Sequence, residues 1–412
     1  MDKKDELVHQ INLFDVEAAY TSIDKPISNK DLYQKLSSQC GIPADQFEEK
    51  HSVGEANAAP VSLLKRKIRW YQQTLKHAGI LEKTDQRGFW KLRASRGVEL
   101  RENIGAVSLV TFSTDLGVAI WSRCEHAFSK MDEPITLCVT SPPYPLKVAR
   151  AYGNPTEPEY VDFICRCLEP IVKNIASDGS ICLNISNDIF EHKSPARSLY
   201  KERLVLALNE RFGLQKMDEL IWENRQKLPS PIAWASKSRQ QLNVTWEPIL
   251  WLSPSPVNCK SNNKRVLLPH TEAHKKYMQK THKPASYSDG AYRRRANSYK
   301  PTPGKIPRNL ISMGHNCTSQ SEYKKLAKLH NLPVHGAPYP LALVKFLIEF
   351  MTEEGDLVVD PFAGSGTTGL AAEITGRRWL MTDNMLEYLL GSAYRFCGRP
   401  GWQMNNQLSL SV

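Results

Sequence analysis

The chain has 412 residues, enough for two or three domains. With 41% apolar and 24% charged residues it has the balance of an ordinary soluble globular protein. Its start, MDKKDELVHQ, has no apolar signal core, and no run of about 18 apolar residues offers a membrane span, so a cytoplasmic location is expected. Nine cysteines are scattered, the nearest pair being Cys165 and Cys167 in a C-x-C rather than a zinc-type C-x-x-C, and they read as reduced thiols. The net charge is +11, and its placement is informative. Residues 258–308 hold thirteen Lys/Arg against two acids, Glu272 and Asp289, so this segment alone carries the whole imbalance. Concentrated positive charge attracts a polyanion, and nucleic acid is the usual one.

Residues 1–105 read as a separate small domain. Ser28-Asn-Lys-Asp31 has the form of a capping box opening a helix that stops at Gly41. A second helix is expected over 61–78, where Leu64, Ile68, Tyr71 and Leu75 recur at helical spacing. Lys65, Arg66, Lys67 and Arg69 ride on it. ILEKTDQRGFWKL then reads as two short strands around a turn. Helices followed by a β-ribbon suggest a winged helix. DNA binding is one role for such a module, and partner docking or a structural role is the other.

From 106 to 257 the pattern alternates. ITLCV is an apolar strand, EYVDFICRCLEPIVKNI a helix, and SDGSICLNIS a turn and strand. LYKERLVLALNERFG is an amphipathic helix closed by Gly213, and LQKMDELIWE and WEPILWL are further strands. Such alternation implies a mostly parallel sheet with covering helices. From 258 to 330 the pattern is lost to Pro, Ser, Asn, Tyr and basic residues, which reads as an insertion rather than core. From 331 to 412 it resumes with the helix LALVKFLIEFMTEE, the strand DLVVD, a glycine loop opening a helix, and the strand WLMTD.

Two loops carry chemistry. TSPPYPL follows the strand ITLCV. Proline cannot continue a ladder and stiffens the loop it enters, and loops at the C-terminal ends of such strands are where α/β enzymes place their sites. DLVVDPFAGSGTTGLAA is a strand, a glycine loop and a helix. Gly364-Ser365-Gly366-Thr367-Thr368-Gly369 fits the G-x-G-x-x-G dinucleotide pattern, with Asp383 nineteen residues after Gly364 in place for a ribose. Against a nicotinamide cofactor, Asp360-Pro361 precedes the loop, where a carboxylate suits a cation rather than a pyrophosphate. Only 43 residues follow Gly369, too few for the rest of two βαβαβ halves. No lysine follows the glycines as a P-loop requires. S-adenosylmethionine, with its sulfonium, adenosine and carboxylate, fits better: the glycines admit its backbone approach and the helix N-terminus takes the carboxylate.

TSPPY (140–144), then HGAPYP (335–340), then DPFAGSGTTG (360–369), with a basic segment between the first and the others, resembles the β-class amino-methyltransferases of DNA. The resemblance covers residues 106–400. HGAPYP departs from that family's H-P-A-P-F-P at Gly336 and Tyr339, and Asp383 stands where the family often has glutamate. The likeness implies a circularly permuted, seven-stranded α/β methyltransferase sheet. It implies S-adenosylmethionine held by Thr140, Ala337, Tyr339, Pro340, Asp360, Pro361, Phe362, Gly364, Ser365, Gly366, Thr367, Thr368 and Asp383, with no metal. It also implies double-stranded DNA as partner, in a bacterial restriction–modification system beside a cognate endonuclease, in the nucleoid-bearing cytoplasm.

On this reading Ser141, Pro142, Pro143 and Tyr144 form the catalytic loop. The Ser141 Oγ and the Pro142 carbonyl accept from the target amine, and Tyr144 stacks on the flipped base. Cys138, the candidate for C5 chemistry, belongs to the buried strand. A leading Ser resembles the N4-cytosine enzymes, whereas Asp is more typical of N6-adenine enzymes. Lys147, Arg150, Arg293, Arg294, Arg295, Lys300, Lys305 and Arg308 are candidate DNA contacts. Asn184 and Asn187 read as sheet-edge caps, and Trp222, Trp234, Trp246 and Trp251 mostly as core. A reading of another class is a DNA-binding regulator on an inactive methyltransferase fold.

Overall fold

The computed structural model describes residues 10–11, 15–16, 19–20, 25–51, 60–77, 81–92, 100–103, 108–129, 131–146, 150–280, 285–287, 292–294, 302–405 and 408. The chain divides into two compact units, Met1–Glu99 and Leu100–Val412, slightly ahead of the boundary expected at 105.

In the first unit a helix spans Asn29–Cys40, and Ser28 caps it: its Oγ accepts from the Asp31 amide at 3.1 Å and donates to the Asp31 carboxylate at 2.6 Å. Gly41, at φ +67°, ends it in the left-handed conformation that glycine tolerates. A second helix, Leu63–His77, buries Leu64, Ile68, Tyr71 and Leu75, the stripe that its spacing predicts. Three short antiparallel strands complete the unit, with Phe89–Leu92 between Ile27–Ser28 and Leu81–Lys83.

The second unit is built on one mixed sheet. Its strands are β1 (Leu109–Ser113), β2 (Gly117–Trp121), β3 (Ile135–Thr140), β4 (Ile175–Asn184), β5 (Gln215–Glu223), β6 (Trp246–Ser253), β7 (Leu310–Ser312), β8 (Leu357–Asp360), β9 (Arg378–Asp383) and β10 (Gln403–Met404). Their order is β7-β5-β6-β4-β3-β8-β9-β2-β1-β10. The run β4-β3-β8-β9-β2 is parallel throughout, and β6 lies antiparallel between β4 and β5. The sheet thus has ten strands where seven were expected. The additions are β7, beside β5 at one edge, and β1 and β10 at the other. β7 and β10, of three and two residues, are too short to show a period-2 signature, yet they satisfy edge ladders that would otherwise be open.

Helices cover both faces: α1 (Cys124–Ser129), α2 (Tyr160–Asn174), α3 (Tyr200–Phe212), α4 (Thr318–Leu329), α5 (Leu341–Met351), α6 (Thr367–Ile374) and α7 (Leu386–Ala393). Every residue of β3 is buried, as a central parallel strand requires. Leu137, Val139 and Val358 pack toward α5, α6 and α7, while Ile135, Cys138 and Val359 pack toward α1, α2 and α3. Cys138 is therefore a core thiol, with burial pushing its pKa well up. The segment 258–330 is not wholly an insertion. It contributes β7 to the sheet and α4, whose Tyr323 and Ala327 pack on Leu386 and Leu390 of α7.

Because β3, β4, β5, β8, β9 and β2 run the same way, their C-terminal ends share one sheet edge. The antiparallel β6 delivers its first residues, Trp246 and Glu247, to that same edge.

Candidate active site

A cavity of about 710 Å³ opens at this edge, within the range of small-molecule sites. Ser141, Pro142, Pro143 and Tyr144 line it from the end of β3, Pro361 and Phe362 from the end of β8, and Asp383 from the end of β9. Ala337 and Tyr339 line it from the HGAPYP segment, and Arg150 from the loop after the prolines. Residues far apart in sequence meet here because β3, β8 and β9 are consecutive in the sheet.

At the cofactor end, the Asp383 Oδ2 accepts from the Gly364 amide at 2.7 Å and its Oδ1 from the Met385 amide at 2.8 Å. Burial raises its pKa from 3.8 to about 6, against the lowering effect of these two bonds. Gly364 sits at φ +50°, and a Cβ there would stand 3.1 Å from the His335 Nε2, so the position admits only glycine without strain. His335 is held neutral, with a pKa lowered to about 4 by burial and by the nearby Arg150. Its Nδ1 is buried without a partner among the described residues. Its ring stacks on Tyr152 at 5.4 Å and meets Tyr388 edge-on at 4.9 Å, and all three line the cavity. A buried carboxylate, an aromatic wall and an imidazole nitrogen with no partner among the described residues fit an adenosyl amino acid.

Several expected cofactor contacts lie elsewhere. Asp360 is 1% exposed and does not line the cavity. Its carboxylate accepts from Thr140 Oγ1 (2.6 Å), Thr368 Oγ1 (2.6 Å), the Tyr339 hydroxyl (3.2 Å) and the Phe362 amide (3.0 Å). Four donors exhaust its oxygens, so the structure gives Asp360, Thr140 and Thr368 the role of a latch tying β3, β8, α6 and the HGAPYP segment together, in place of the cation contact that the sequence suggested. Pro340, Gly364, Ser365, Gly366 and Thr367 likewise do not line the cavity. The Arg395 guanidinium fastens the loop from behind: one Nη meets the Ser365 carbonyl and the Thr367 Oγ1, the other the Ser319 Oγ at 2.7 Å.

At the catalytic end, the Tyr144 hydroxyl lies 3.0 Å from Glu247 Oε2 and 3.1 Å from Asn184 Oδ1. The Ser141 Oγ lies 3.2 Å from that hydroxyl and 3.4 Å from Asn184 Oδ1. Asn184, expected as an edge cap, belongs to this network. Burial, then Glu247, raises the Tyr144 hydroxyl's pKa well above its ordinary value. The Lys227 Nζ pairs with Glu247 Oε1 at 3.1 Å.

The candidate DNA contacts separate. Arg150 faces the cavity, while Lys305 and Arg308 are exposed and away from it. Arg293 and Arg294 lie on a small antiparallel pair, Tyr292–Arg294 with Ala285–Tyr287. Lys147, Arg295 and Lys300 lie outside the described residues. Not all of the insertion's charge faces outward: Lys260 pairs with Asp356 at 2.8 Å and Arg265 with Glu353 at 2.7 Å.

Residues 135–393, more than half of the sequence, match the model of the DNA methylase family of N6 and N4 methyltransferases. The chain belongs to that family. It is 34% identical over 268 residues to the type II methyltransferase M.PvuII of Proteus hauseri, a stretch covering 64% of this chain and 79% of that one. It is 23% identical over 258 residues to M1.MboII of Moraxella bovis, covering 63% and 87%. Among solved structures, a PvuII DNA methyltransferase described as cytosine-N4-specific aligns with a TM-score of 0.56 and 28% identity, over 73% of this chain and 92% of that one. This DNA methylase is an S-adenosylmethionine-dependent enzyme of the amino-methylating type, on an α/β methyltransferase fold. Among the described residues, no helix is long and apolar enough to cross a membrane.

Proposed function

We propose that the protein methylates the N4 amine of cytosine in duplex DNA, on a base turned out of the helix into the cavity. The observation that carries this reading is that Ser141, at the head of a proline-stiffened loop, shares one cavity with Asp383, whose carboxylate accepts from the Gly364 amide. Bound there, S-adenosylmethionine supplies an electrophilic methyl group on a sulfonium. The exocyclic amine is a poor nucleophile because its lone pair is delocalised into the ring. The Ser141 Oγ and the Pro142 carbonyl, as acceptors, hold the amine out of conjugation and disperse the positive charge that it develops. Pro142 and Pro143 fix the direction of that carbonyl, so the acceptors need no reorganisation. The anchored Tyr144 ring is the surface against which the base packs. Asp383 takes the ribose hydroxyls.

The choice of cytosine rests on Ser141 at the head of the loop and on the likeness to the PvuII enzyme, described as cytosine-N4-specific. The catalytic loop precedes the glycine cradle in sequence although β3 and β8 are neighbours, and we read this order as a circular permutation. Residues 224–245 support contact with DNA: they carry Arg225, Lys227, Lys237 and Arg239 and no acid, expose Leu228 and Leu242, and line the cavity through Gln226–Ser230. The N-terminal unit reads as a winged-helix-like module, and a cognate endonuclease in the same bacterial cytoplasm as the functional partner. Mass spectrometry of nucleosides from DNA of expressing cells tests the base. N4-methylcytosine is the expected product, and N6-methyladenine alone would refute the assignment while leaving the enzyme class standing.

A further inference from the structure

The network behind Ser141 ends in a carboxylate that the methyl-transfer reading does not use. Glu247 arrives on β6, the one central strand entering the catalytic edge from the opposite direction. Its side chain is 14% exposed and lines the cavity. We infer that Glu247 is the terminal acceptor for the proton that the target amine releases, reached through Ser141 and Tyr144.

The polarity of the chain follows from the hydrogen-bonding capacity of each member. A carboxylate only accepts, so the Tyr144 hydroxyl, 3.0 Å from Glu247 Oε2, donates to it. That leaves the Tyr144 oxygen as acceptor for the Ser141 hydroxyl at 3.2 Å. With its own proton committed inward, the Ser141 Oγ keeps a lone pair for the amine N–H in the cavity. Asn184 stands beside the chain: its Nδ2 donates to the Pro248 carbonyl at 3.4 Å, which orients its Oδ1 toward the Tyr144 and Ser141 hydroxyls, at 3.1 and 3.4 Å, as an alternative acceptor for either proton.

The inference rests on the amino-methyltransferase reading and completes its proton balance. The amine's lone pair bonds the methyl carbon as the sulfonium–methyl bond breaks, the electron pair of that bond stays on sulfur as a neutral thioether, and the amine becomes the cation. It then loses one proton to Ser141 Oγ, as the Ser141 proton passes to Tyr144 and the Tyr144 proton to Glu247. The methylated amine ends neutral, both hydroxyls are restored and Glu247 is protonated, later losing that proton to water. Concerted transfer is required, because burial disfavours a free tyrosinate at Tyr144. The charged and titratable groups facing Glu247 are Lys227 at 3.1 Å, Tyr144, and, acting on it through space, Tyr200 and His315. Burial lowers the pKa of His315, and the cation paired with Glu247 is the Lys227 ammonium. Glu247 acts through Tyr144 and Ser141, so it is a positioning and relay residue rather than one that touches the base.

Glu247→Gln keeps the size and the acceptor for Tyr144 but removes the basicity. Single-turnover transfer of tritiated methyl to unmethylated plasmid DNA is expected to fall by roughly 10². S-adenosylhomocysteine affinity by calorimetry and DNA affinity should stay within about twofold of wild type. At saturating S-adenosylmethionine, which removes the contribution of Asp383 to binding, the acid limb of the wild-type pH–rate profile should be absent from the variant. Tyr144→Phe should cost as much, and the double variant no more than the larger single loss, as for groups acting as one unit. A Glu247→Gln enzyme with wild-type rate and profile would overturn the relay and leave the methyltransferase standing. A wild-type protein with no transfer at all would overturn both.

Discussion

Asp383 makes cofactor binding depend on pH in a direction that the structure fixes. Its carboxyl is buried at the end of β9, and its pKa is raised to about 6. At pH 7.5 the group is ionised and accepts strongly from a ribose diol. At pH 5, one unit below that value, roughly one carboxyl in eleven is ionised. If the ionised form does the binding, the dissociation constant for S-adenosylhomocysteine rises about tenfold between pH 7.5 and 5, equivalent to about 1.4 kcal/mol. His335, with a pKa near 4, stays largely neutral across this window and adds little. Asp383→Asn should bind more weakly at pH 7.5, since a bond to a charged acceptor is worth about 1.5–3 kcal/mol against about 1 for a neutral one, and its affinity should be flat over the same range. Stability of the ligand-free protein moves the other way. A pKa raised above its unfolded value of 3.8 contributes stability that is fully present below about 3.8 and is lost as pH rises through about 6. Calorimetry at a series of pH values, beside urea unfolding of the ligand-free protein, reads both slopes. Affinity that is flat or tightens on acidification, or an Asp383→Asn variant with the wild-type slope, would refute the assignment of Asp383 to the ribose.

Gly364→Ala forces a left-handed backbone on a residue with a Cβ and presses it against the His335 ring. It should cost about 1–2 kcal/mol and roughly tenfold in S-adenosylhomocysteine affinity, read by calorimetry, and unchanged binding would remove the cradle from the account. Asp360→Ala leaves four buried donors without their acceptor. Its urea-unfolding free energy should fall by about 3 kcal/mol or more, whereas a loss under about 1 kcal/mol would contradict the latch. Ser141→Ala should slow single-turnover methyl transfer by about 10²–10³ while cofactor affinity stays constant, and a wild-type rate would exclude Ser141 as the acceptor.

The parts of the site that sequence displayed are those where local chemistry repeats a local need. Two prolines after a buried strand, and a glycine loop between a strand and a helix, announce themselves because backbone conformation demands those residue types. Ser141 and Asp383 were legible by their place in such units. Glu247 was not: it sits in WEPILWL, which reads as an apolar strand, and only the antiparallel entry of β6 brings its first residues to the catalytic edge. Lys227, Tyr152 and Arg395 are likewise recruited by topology and carry no spacing signal. Asp360 shows the converse, a motif letter whose position was legible but whose orientation was not, since burial and four donors turn it away from the cavity. The core stripes of the long helices and the central strands were readable from periodicity, while β7 and β10 were too short to have any.

The most direct measurement is a crystal structure of the protein with S-adenosylhomocysteine. The account predicts the ligand in the cavity with its ribose on Asp383, its amino-acid end beside Gly364 and its sulfur turned toward Ser141 and Tyr144. A ligand seated elsewhere, or one whose sulfur faces away from the proline-stiffened loop, would contradict it.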